Sequence, residues 1–479
     1  MAETWATSPA AEGHGIDLHI DLRVCVGGSG VRKGLTDALR EAVRGGRLAP
    51  GTRLPSSRAL AVDLGIARNT VADAYADLVA EGWLTARQGS GTRVAERPVS
   101  RPATAPPRRT PGPARHDLTP GSPDLASFPR EAWLRSARRA LAVAPNEAFG
   151  YGDPRGRVEL RTALADYLAR ARGVYADPDR IVVCAGVAHG LMLLGKVLGQ
   201  GGARSVAVES YGLDVHRDLL TAAGLTLPPL PCDARGTRTD ALARLWPGAV
   251  LLTPAHQFPL GMPLSPERRA ETVDWARSSG GLILEDDYDG EFRYDRQPVG
   301  ALQGLDPDRV VHLGTVSKSL APALRLGWMV LPAALAGRVA DAKGASDWAC
   351  GVVDQLTFAD FLTSGAYDRH VRAARLRYRR RRDQLVAALA ARVPRVRVSG
   401  IAAGLHAVLE LPAGTEQSTI RAAAWHGLNV LGLSRFRHPD VPGEGRDALV
   451  IGYGTPPDHA WSGALDTLCD ALAGVSGVS

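Results

Sequence analysis

HLGTVSKSLAPALRLG, at positions 312–327, is the most informative stretch of this 479-residue chain. It follows an apolar, strand-like run and turns through small residues to Lys318, with Arg325 seven positions further on. A lysine desolvated at the end of a buried strand has a lowered pKa, so its amine can attack a carbonyl and form a Schiff base. The hydroxyls of Thr315 and Ser317 and the guanidinium of Arg325 suit a phosphate. The alternative interpretation is an ordinary surface lysine in a loop.

A second stretch, GLILEDDYD at positions 281–289, is an apolar strand that ends in acidic residues and a tyrosine. A carboxylate at a strand end can pair with a protonated pyridine nitrogen and keep the ring an electron sink, as pyridoxal phosphate requires. The acidic run would also suit a Mg²⁺ ion. The lysine downstream favours the pyridoxal phosphate interpretation over the metal site.

The composition bounds the class of protein. A length of 479 residues, of which 45% are hydrophobic, indicates roughly two to four domains with a large core. The net charge of +7 and the pI of about 9.3 are compatible with an acidic partner such as nucleic acid, and equally with an enzyme that is merely basic.

Cysteine usage and the apolar runs indicate where the protein works. The five cysteines are scattered and form no CxxC pair: Cys25, Cys184, Cys232, Cys350 and Cys469. This pattern predicts neither a disulfide framework nor a zinc site, and no metal is expected. The first residues lack the regions of a signal peptide, and no apolar run reaches the roughly 18 residues of a membrane span. We therefore expect a soluble, cytoplasmic protein.

Residues 1–21 are a loose lead-in, and from Val31 onwards the pattern predicts three helices and a hairpin. Apolar residues recur every four positions from Val31 until a Gly-Gly pair ends the first helix. Ser56 is a suitable N-cap for the second helix, and Gly65 stops it. A third helix runs from near Arg68 to Gly82, so the last two helices form a helix-turn-helix. The hairpin that follows is a wing with glycines at its tip.

The winged region carries the residues that a DNA-binding surface needs. Positions 31–94 hold ten Lys and Arg residues against six Asp and Glu residues, a net charge of +4. Polar residues at the start of the third helix suit base edges in a major groove, and others are placed for the DNA backbone. The base-reading candidates are Arg68, Asn69 and Thr70, and the backbone candidates are Arg53, Arg58 and Gly89 at the wing tip. Any single arginine among them could instead be a solvated surface charge.

The phrases RLPSSR at 53–58, NTV at 69–71 and GSGT at 89–92 resemble the winged helix-turn-helix domain of GntR-type bacterial repressors. The resemblance implies a DNA-binding domain over residues 22–95. Residues 96–116 are rich in Pro, Arg and Ala, which is typical of an extended, semi-rigid linker. The linker arginines either belong to a plain spacer or add weak, non-specific DNA contact.

From residue 117 the pattern becomes that of an α/β protein. Short apolar runs begin near residues 181, 206, 250, 282, 310 and 330 and alternate with helical patterns, which predicts a mostly parallel sheet covered on both faces. A long helical region at 354–389 contains the basic run RLRYRRRR, which is either a solvated helix face or a second DNA site. Residues from about 390 to 479 form a smaller C-terminal subdomain.

Residues 117–479 resemble fold type I aminotransferases through PAHQFPLG at 254–261, EDDYD at 285–289 and the stretch around Lys318. The whole chain resembles the MocR (GabR-like) regulators, in which a GntR-type domain is fused to an aminotransferase-like domain. The implied fold class is α/β. It combines a winged helix-turn-helix with a large, mostly parallel sheet domain and a small C-terminal domain.

The resemblance implies roles for the residues around the cofactor ring. Lys318 would form a Schiff base with pyridoxal phosphate. Asp286, rather than Asp287, would pair with the pyridine nitrogen. Tyr288 would hydrogen-bond the 3-oxygen of the ring, helped by His256 or Gln257.

The resemblance also implies a phosphate site and a dimer. Arg325, Thr315 and the backbone N–H groups of Val187 and Ala188 would hold the phosphate. Val187 and Ala188 open a helix that follows a strand, and the backbone N–H groups at such a helix N-terminus suit an anion. Tyr151 resembles the tyrosine that reaches the phosphate of the neighbouring subunit, and this implies a homodimer.

Three departures from the family pattern concern the ligand. Ala188-His189 stands where two glutamines are usual, and the turn at 211–213 lacks the usual Pro-Gly-Tyr, which leaves Tyr211 as the aromatic candidate to stack on the ring. Val450 stands where true aminotransferases place an arginine that clamps the substrate carboxylate, with Arg446 close in sequence. An apolar residue there would cost a carboxylate ligand on the order of 2–5 kcal/mol.

These features together predict a regulator that binds double-stranded operator DNA as a homodimer, through repeated half-sites. Its aminotransferase-like domain would sense pyridoxal phosphate, an amino compound, or both through Lys318, and would reposition the DNA-binding domains. The alternative is a working aminotransferase with an accessory DNA-binding module. The absence of the carboxylate arginine weighs against that alternative.

Overall fold

The computed structural model describes residues 30–87, 91–96, 114–294, 299–443 and 445–475. The chain divides into two compact units, Met1–Thr110 and Pro111–Ser479, each with a hydrophobic core of its own. Among the described residues, no helix is both long and apolar enough to cross a membrane.

Three helices and a two-stranded hairpin make up the described part of the first unit. They are α1 (Val31–Arg44), α2 (Ser57–Leu64), α3 (Arg68–Ala80), β1 (Leu84–Arg87) and β2 (Gly91–Val94). The two strands are antiparallel, with Leu84 opposite Val94. The predicted winged helix-turn-helix is therefore confirmed, although α3 ends at Ala80 rather than at the predicted glycine.

Local capping and ion pairs fix the helices of the first unit. The Ser56 hydroxyl accepts a hydrogen bond from the backbone N–H of Ala59 at 3.1 Å. Gly65 ends α2 in the left-handed region, with a φ of 63°, where glycine avoids the strain of a side chain. An ion pair of 2.7 Å from Arg40 to Glu81 joins α1 to the end of α3.

The second unit alternates helices and strands along the chain. The helices are α4 (Arg130–Val143), α5 (Val158–Arg172), α6 (Val187–Gln200), α7 (Asp214–Ala222), α8 (Leu242–Leu245), α9 (Pro266–Ser279), α10 (Ala333–Gly344), α11 (Val352–Thr363), α12 (Ala366–Arg392), α13 (Glu416–Trp425) and α14 (Trp461–Ala473). The strands are β3 (His116–Asp117), β4 (Ile181–Cys184), β5 (Val206–Glu209), β6 (Pro229–Leu230), β7 (Cys232–Asp233), β8 (Gly236–Thr237), β9 (Ala249–Leu252), β10 (Leu282–Asp286), β11 (Val310–Thr315), β12 (Gly327–Val330), β13 (Arg397–Ser399), β14 (His406–Glu410), β15 (Leu428–Asn429), β16 (Leu431–Gly432) and β17 (Ala448–Gly452).

Seven strands form the large sheet, in the order β4-β12-β11-β10-β9-β5-β6. Neighbouring strands are parallel except at β12, which is antiparallel to both β4 and β11. The central strands are almost completely buried, as expected for a sheet covered by helices. Because β10 and β11 are parallel neighbours, the residues that follow them meet at one edge of the sheet.

Two details of the second unit differ from the sequence prediction. The sixth apolar run predicts a strand near residues 330–331, whereas β12 covers Gly327–Val330 and reverses direction. The long helical region is two helices, because Gly365 adopts a φ of 67° between α11 and α12. A left-handed glycine ends a helix, so the basic run lies on α12 alone.

The C-terminal residues form a four-stranded antiparallel sheet in the order β13-β14-β17-β16. Its core is shared with α12, α13 and α14. β3, near the start of the unit, pairs in parallel with β15. The first described residues of the unit are therefore tied to the small C-terminal subdomain.

Candidate functional site

A cavity of about 370 Å³ opens at the carboxyl ends of β5, β10 and β11, between the large sheet and the small C-terminal sheet. Its walls include the first residues of α6 and α7 and side chains near β14 and β16. A pocket at the strand ends of an α/β sheet, of this size, suits a small-molecule ligand.

Lys318 lies in the cavity wall, just after β11. Its Nζ donates a hydrogen bond to the carbonyl oxygen of Gly121. Burial lowers the pKa of the Lys318 amine, although the nearby carboxyl groups of Asp286 and Asp289 oppose the shift. An amine in these surroundings is more readily neutral, and so more nucleophilic, than one in water.

The two aspartates at the end of β10 have different surroundings. Asp287 does not line the cavity, and it accepts hydrogen bonds from Arg172 at 2.7 Å and from His312 at 3.2 Å. Asp286 does line the cavity, and its Oδ1 is buried without a hydrogen-bond partner among the described residues. Burial raises the pKa of Asp286 to about 8, although the charge of Lys318 opposes the shift. Asp286 thus offers the cavity an acceptor that the described residues leave unused.

Tyr288 also lines the cavity. Its hydroxyl donates to the backbone carbonyl of His256 at 3.1 Å and lies 3.1 Å from the Nδ1 of the same residue. His256 is buried behind the tyrosine, with its Nδ1 2.7 Å from the Asp289 carboxylate. Gln257 is buried as well and donates to the Tyr211 carbonyl at 2.9 Å. Of the three groups expected at the ring oxygen, Tyr288 reaches the cavity, and the other two lie outside its wall.

The residues expected to hold a phosphate all line the cavity, at the start of α6 and in the turn after β11: Val187, Ala188, Thr315, Ser317 and Arg325. The Thr315 and Ser317 hydroxyl oxygens are 2.8 Å apart, and the Arg325 guanidinium donates to the carbonyl of Ala185. A Cβ on Gly186, whose φ is 86°, would lie 3.3 Å from the Arg325 guanidinium. Glycine therefore allows the close approach of this arginine to the N-terminus of α6.

The remaining predicted residues are divided among the cavity, the core and the surface. Tyr211 is buried and lines the cavity. Val450 is buried in the core of β17, outside the cavity lining, and the nearby Arg446 pairs with Glu410 at 2.6 Å, also away from the cavity. Tyr151 is 95% exposed and does not line the cavity of its own chain.

Three further cavity residues do not emerge from the sequence motifs. His216, on α7, lies 3.9 Å from the Asp286 carboxylate, and burial lowers the pKa of this histidine to about 4, so it is neutral. Arg217 follows it on the same helix, and Arg435 enters from the small subdomain, where it pairs with Asp214. His216 and Arg217 do have a sequence signal, because both lie at the start of the helix that directly follows the turn at 211–213.

The predicted DNA-contacting residues lie at the surface of the first unit. Arg53, Arg58, Arg68 and Asn69 are exposed and Thr70 is partly exposed. The last three open α3, and the Arg53 guanidinium lies beside Gly91 at the start of β2. The predicted wing-tip residue Gly89 lies outside the described residues.

Two family models match the chain. Residues 32–94 match bacterial regulatory proteins of the gntR family, and residues 117–447 match aminotransferase class I and II. The second unit resembles the crystal structure of an archaeal alanine:glyoxylate aminotransferase, with 24% identity and a TM-score of 0.67 over 74% of this chain and 90% of that chain. LysN, an α-aminoadipate aminotransferase from Thermus thermophilus, gives 23% identity and the same TM-score over 75% and 92%. The class is a helix-turn-helix transcriptional regulator with an aminotransferase-like domain.

Full-length relatives define the family more closely. The chain is 34% identical over 445 residues to the pyridoxine biosynthesis transcriptional regulator PdxR of Corynebacterium glutamicum, covering 92% of this chain and 95% of that protein. It is 32% identical over 442 residues to the probable rhizopine catabolism regulatory protein MocR of Rhizobium meliloti, covering 88% and 89%. It is 34% identical over 400 residues to the regulator TauR of Rhodobacter capsulatus, covering 76% and 80%. The chain belongs to the MocR family of transcriptional regulators.

Proposed function

We propose that this regulator depends on pyridoxal phosphate and responds to the cofactor itself or to an amino compound that meets it in the cavity. Residues 22–95 would bind double-stranded DNA, residues 96–116 would link the two parts, and residues 117–479 would hold the cofactor. A homodimer, with Tyr151 of each subunit directed to the phosphate site of the other, would present two DNA-binding domains to repeated half-sites.

The unused oxygen of Asp286 is the observation that carries this proposal. A buried acceptor without a donor typically costs about 1–3 kcal/mol. A protonated pyridine nitrogen would supply the donor, and its charge would favour the ionised form of a carboxyl whose pKa is raised by burial. The neutral His216, 3.9 Å from the Asp286 carboxylate, would limit the space in which that carboxylate can turn.

The other groups of the cavity fit the same ligand. The Lys318 amine would bind the aldehyde carbon, and the Tyr288 hydroxyl would hydrogen-bond the phenolic oxygen. The phosphate would lie between Arg325, the hydroxyls of Thr315 and Ser317, and the N-terminus of α6, where backbone N–H groups favour anions. Bound there, pyridoxal phosphate supplies an aldehyde that reacts with amines and a ring that accepts electrons.

Replacing the lysine tests the cofactor assignment. Lys318→Ala should abolish the visible absorbance that pyridoxal phosphate acquires on joining a lysine. Lys196→Ala is the matched control, because Lys196 is exposed on α6 and outside the cavity lining. An unchanged spectrum in Lys318→Ala, or an equal loss in both variants, would contradict the assignment.

Binding to DNA upstream of the gene tests the regulatory half of the proposal. A gel shift with the full chain should change in affinity or pattern when pyridoxal phosphate is added, and again with one member of a panel of amino compounds. A shift that is identical with and without every addition would argue against a ligand-responsive regulator.

An aminotransferase activity is the second candidate, favoured by the buried Lys318 amine with its lowered pKa. Against it, an apolar residue, Val450, stands at the position where the carboxylate clamp is expected, and neither it nor the nearby Arg446 lines the cavity. Steady formation of a keto acid from a common amino acid, at ordinary enzyme rates, would favour a working aminotransferase with an accessory DNA-binding module over the regulator. We expect no such turnover.

A further inference from the structure

Three buried side chains beside Tyr288 form a cluster of groups that can ligate a metal ion: His256, Asp289 and His406. Each is at most 5% exposed. One ligand atom from each lies within 4.8 Å of the ligand atoms of the other two. No other group of three such side chains, at this distance from one another, occurs in the part of the chain that the structure describes.

The members of this cluster come from both sheets of the second unit. His256 follows β9 and Asp289 follows β10, whereas His406 is the first residue of β14 in the small C-terminal sheet. The two histidine rings have centroids 5.0 Å apart. A metal ion held by all three side chains would therefore join the large sheet to the small subdomain.

The hydrogen bond of His406 leaves one of its ring nitrogens free for a metal. Its Nε2 lies 3.0 Å from the carbonyl oxygen of Pro259. A carbonyl oxygen can only accept, so the Nε2 carries the hydrogen, and the Nδ1 of the neutral ring keeps its lone pair. Histidines that bind metals usually donate their other ring N–H to a carbonyl or carboxylate in this way, because that bond fixes the tautomer and the direction of the ring.

The other two ligand atoms are in direct contact. The Nδ1 of His256 lies 2.7 Å from an oxygen of the Asp289 carboxylate. A metal ion would replace the hydrogen between them, and that proton would be released, as is usual when histidine binds a metal. The Tyr288 hydroxyl, 3.1 Å from the same Nδ1, would keep its second acceptor, the backbone carbonyl of His256 at 3.1 Å.

We propose that His256, Asp289 and His406 bind a divalent transition-metal ion such as Zn²⁺. Two imidazole nitrogens and one carboxylate suit this class of ion, whereas Mg²⁺ and Ca²⁺ prefer oxygen ligands alone. Bonds of about 2.0–2.2 Å place two ligands of one ion roughly 3–4 Å apart, so side-chain shifts of about 1 Å would complete the site. The scattered cysteines predict no metal, and this cluster uses none of them.

The site goes beyond the proposed function and does not rest on it, because all three ligands belong to the chain itself. Three protein ligands leave a further coordination position open. Tyr288 and His406 both line the cavity, so the ion would lie directly behind the cavity wall. A metal-bound protein would thus have its two sheets joined at the place where a cavity ligand is contacted.

Cobalt(II) is the probe, because its visible d–d absorption reports the number and the type of its ligands. The full chain, freed of metal with a chelator, is titrated with Co²⁺, both without pyridoxal phosphate and after loading and removal of the excess. We expect one Co²⁺ ion per chain, no thiolate-to-metal absorption, and displacement by Zn²⁺. X-ray absorption at the zinc edge should then show nitrogen and oxygen neighbours and no sulfur.

Two variants test the ligands. Asp289→Asn and His406→Gln should each weaken Co²⁺ binding by more than about a hundredfold, since loss of an outer-shell partner alone typically costs roughly 10–100-fold. The glutamine at 406 keeps an N–H donor for the Pro259 carbonyl. His426→Gln is the matched control, because His426 is an exposed histidine of the same subdomain, and it should bind Co²⁺ as tightly as the natural protein.

Thermal unfolding separates loss of the metal site from loss of the fold. Zn²⁺ should raise the unfolding temperature of the natural protein and of His426→Gln, and should leave that of Asp289→Asn and His406→Gln unchanged. Absence of binding, several weakly bound ions per chain, equal binding by all variants, or sulfur neighbours of zinc would each overturn the site. If neither ligand variant unfolds cooperatively, the zinc neighbours in the natural protein decide the question.

Discussion

Two groups of buried charges lie at the end of β10, and they differ in whether the chain supplies their partners. Around Asp287, the side chains of Arg172 and His312 donate three hydrogen bonds to the carboxylate. In the cavity, Asp286 keeps an unpartnered oxygen among the described residues, and Lys318 donates to a neutral carbonyl. We call the first group the closed cluster, because the Asp287 carboxylate has its donors there, although the Nδ1 of His312 has no hydrogen-bond partner among the described residues.

The two carboxyl groups are neighbours in sequence, yet their pKa values move in opposite directions. Burial would raise the pKa of Asp287, but the charge of Arg172 and the hydrogen bond from His312 hold it well below its ordinary value. Burial raises the pKa of Asp286 to about 8, because Lys318 opposes the shift only in part. A buried carboxyl group in a cavity with a strongly raised pKa marks Asp286, and not Asp287, as the candidate for a functional role.

The first unit shows the same contrast at its surface. Arg40 is paired with Glu81 and joins two helices. Arg58 and Arg68 are exposed and make no ion pair or hydrogen bond with the residues that the structure describes. Their charges remain available to a polyanion, as the DNA-binding prediction requires.

Breaking the closed cluster should have the largest effect. Asp287→Asn leaves the Arg172 guanidinium buried without its ionic partner, so we expect a loss of about 3–5 kcal/mol in the free energy of unfolding. Because the folded-state pKa of Asp287 is lowered, its contribution is present above the ordinary value of 3.8 and is lost as the pH falls below it. Urea unfolding at neutral and acidic pH measures both. A variant as stable as the natural protein at neutral pH would contradict the contrast between the two groups.

Replacing the cavity carboxyl group should raise the free energy of unfolding of the cofactor-free protein, which is the opposite of the effect expected for Asp287→Asn. Asp286→Asn removes a group that is costly to ionise, and should stabilise the fold by about 1–3 kcal/mol in mild alkali. The folded-state pKa of Asp286 is raised, so the natural protein loses stability as the pH rises from 3.8 towards 8. The advantage of the variant should therefore grow across that window and vanish below it, as followed by thermal unfolding. The same variant should bind pyridoxal phosphate more weakly.

An unpaired arginine of the first unit should matter for DNA and not for the fold. Arg68→Ala should weaken binding to the specific operator by about 1–3 kcal/mol, with the unfolding curve unchanged. Fluorescence anisotropy on operator and random DNA separates the possible contacts. An equal loss on both DNAs would show that Arg68 touches only the phosphate backbone.

The smallest effect is expected at Arg446. This arginine and Glu410 are both partly exposed, so Arg446→Gln should change the free energy of unfolding by about 0–1 kcal/mol. Cofactor absorbance should not change, because the side chain does not line the cavity. A large loss of cofactor or effector binding would show that Arg446 reaches the ligand after all.

The sequence predicts those parts of the molecule whose causes are local. The cap at Ser56, the stop at Gly65 and the apolar runs of the parallel strands follow from short patterns, and the structure contains each of them. The direction of β12 depends on its pairing with β4, far away in sequence, and no local pattern encodes that. The break at Gly365 does have a local signal, a glycine after a Ser, which the long helical pattern obscures.

The same division holds for the site. Lys318, Asp286 and Tyr288 follow strands that end at one edge of the sheet, so motifs suffice to propose that they meet. Arg435 reaches the cavity only through the packing of the small subdomain against α7, and its sequence context carries no motif. Sequence reasoning therefore finds the cofactor-facing side of the cavity and misses its rim.

The hydrogen bond between Lys318 and Gly121 connects the cavity with the entrance of the chain into its second unit. Gly121 follows β3 closely, and β3 follows the segment that comes from the wing. Gly121 itself lines the cavity. The same nitrogen atom that faces the ligand site therefore also contacts the stretch of the second unit that is nearest in sequence to the DNA-binding unit.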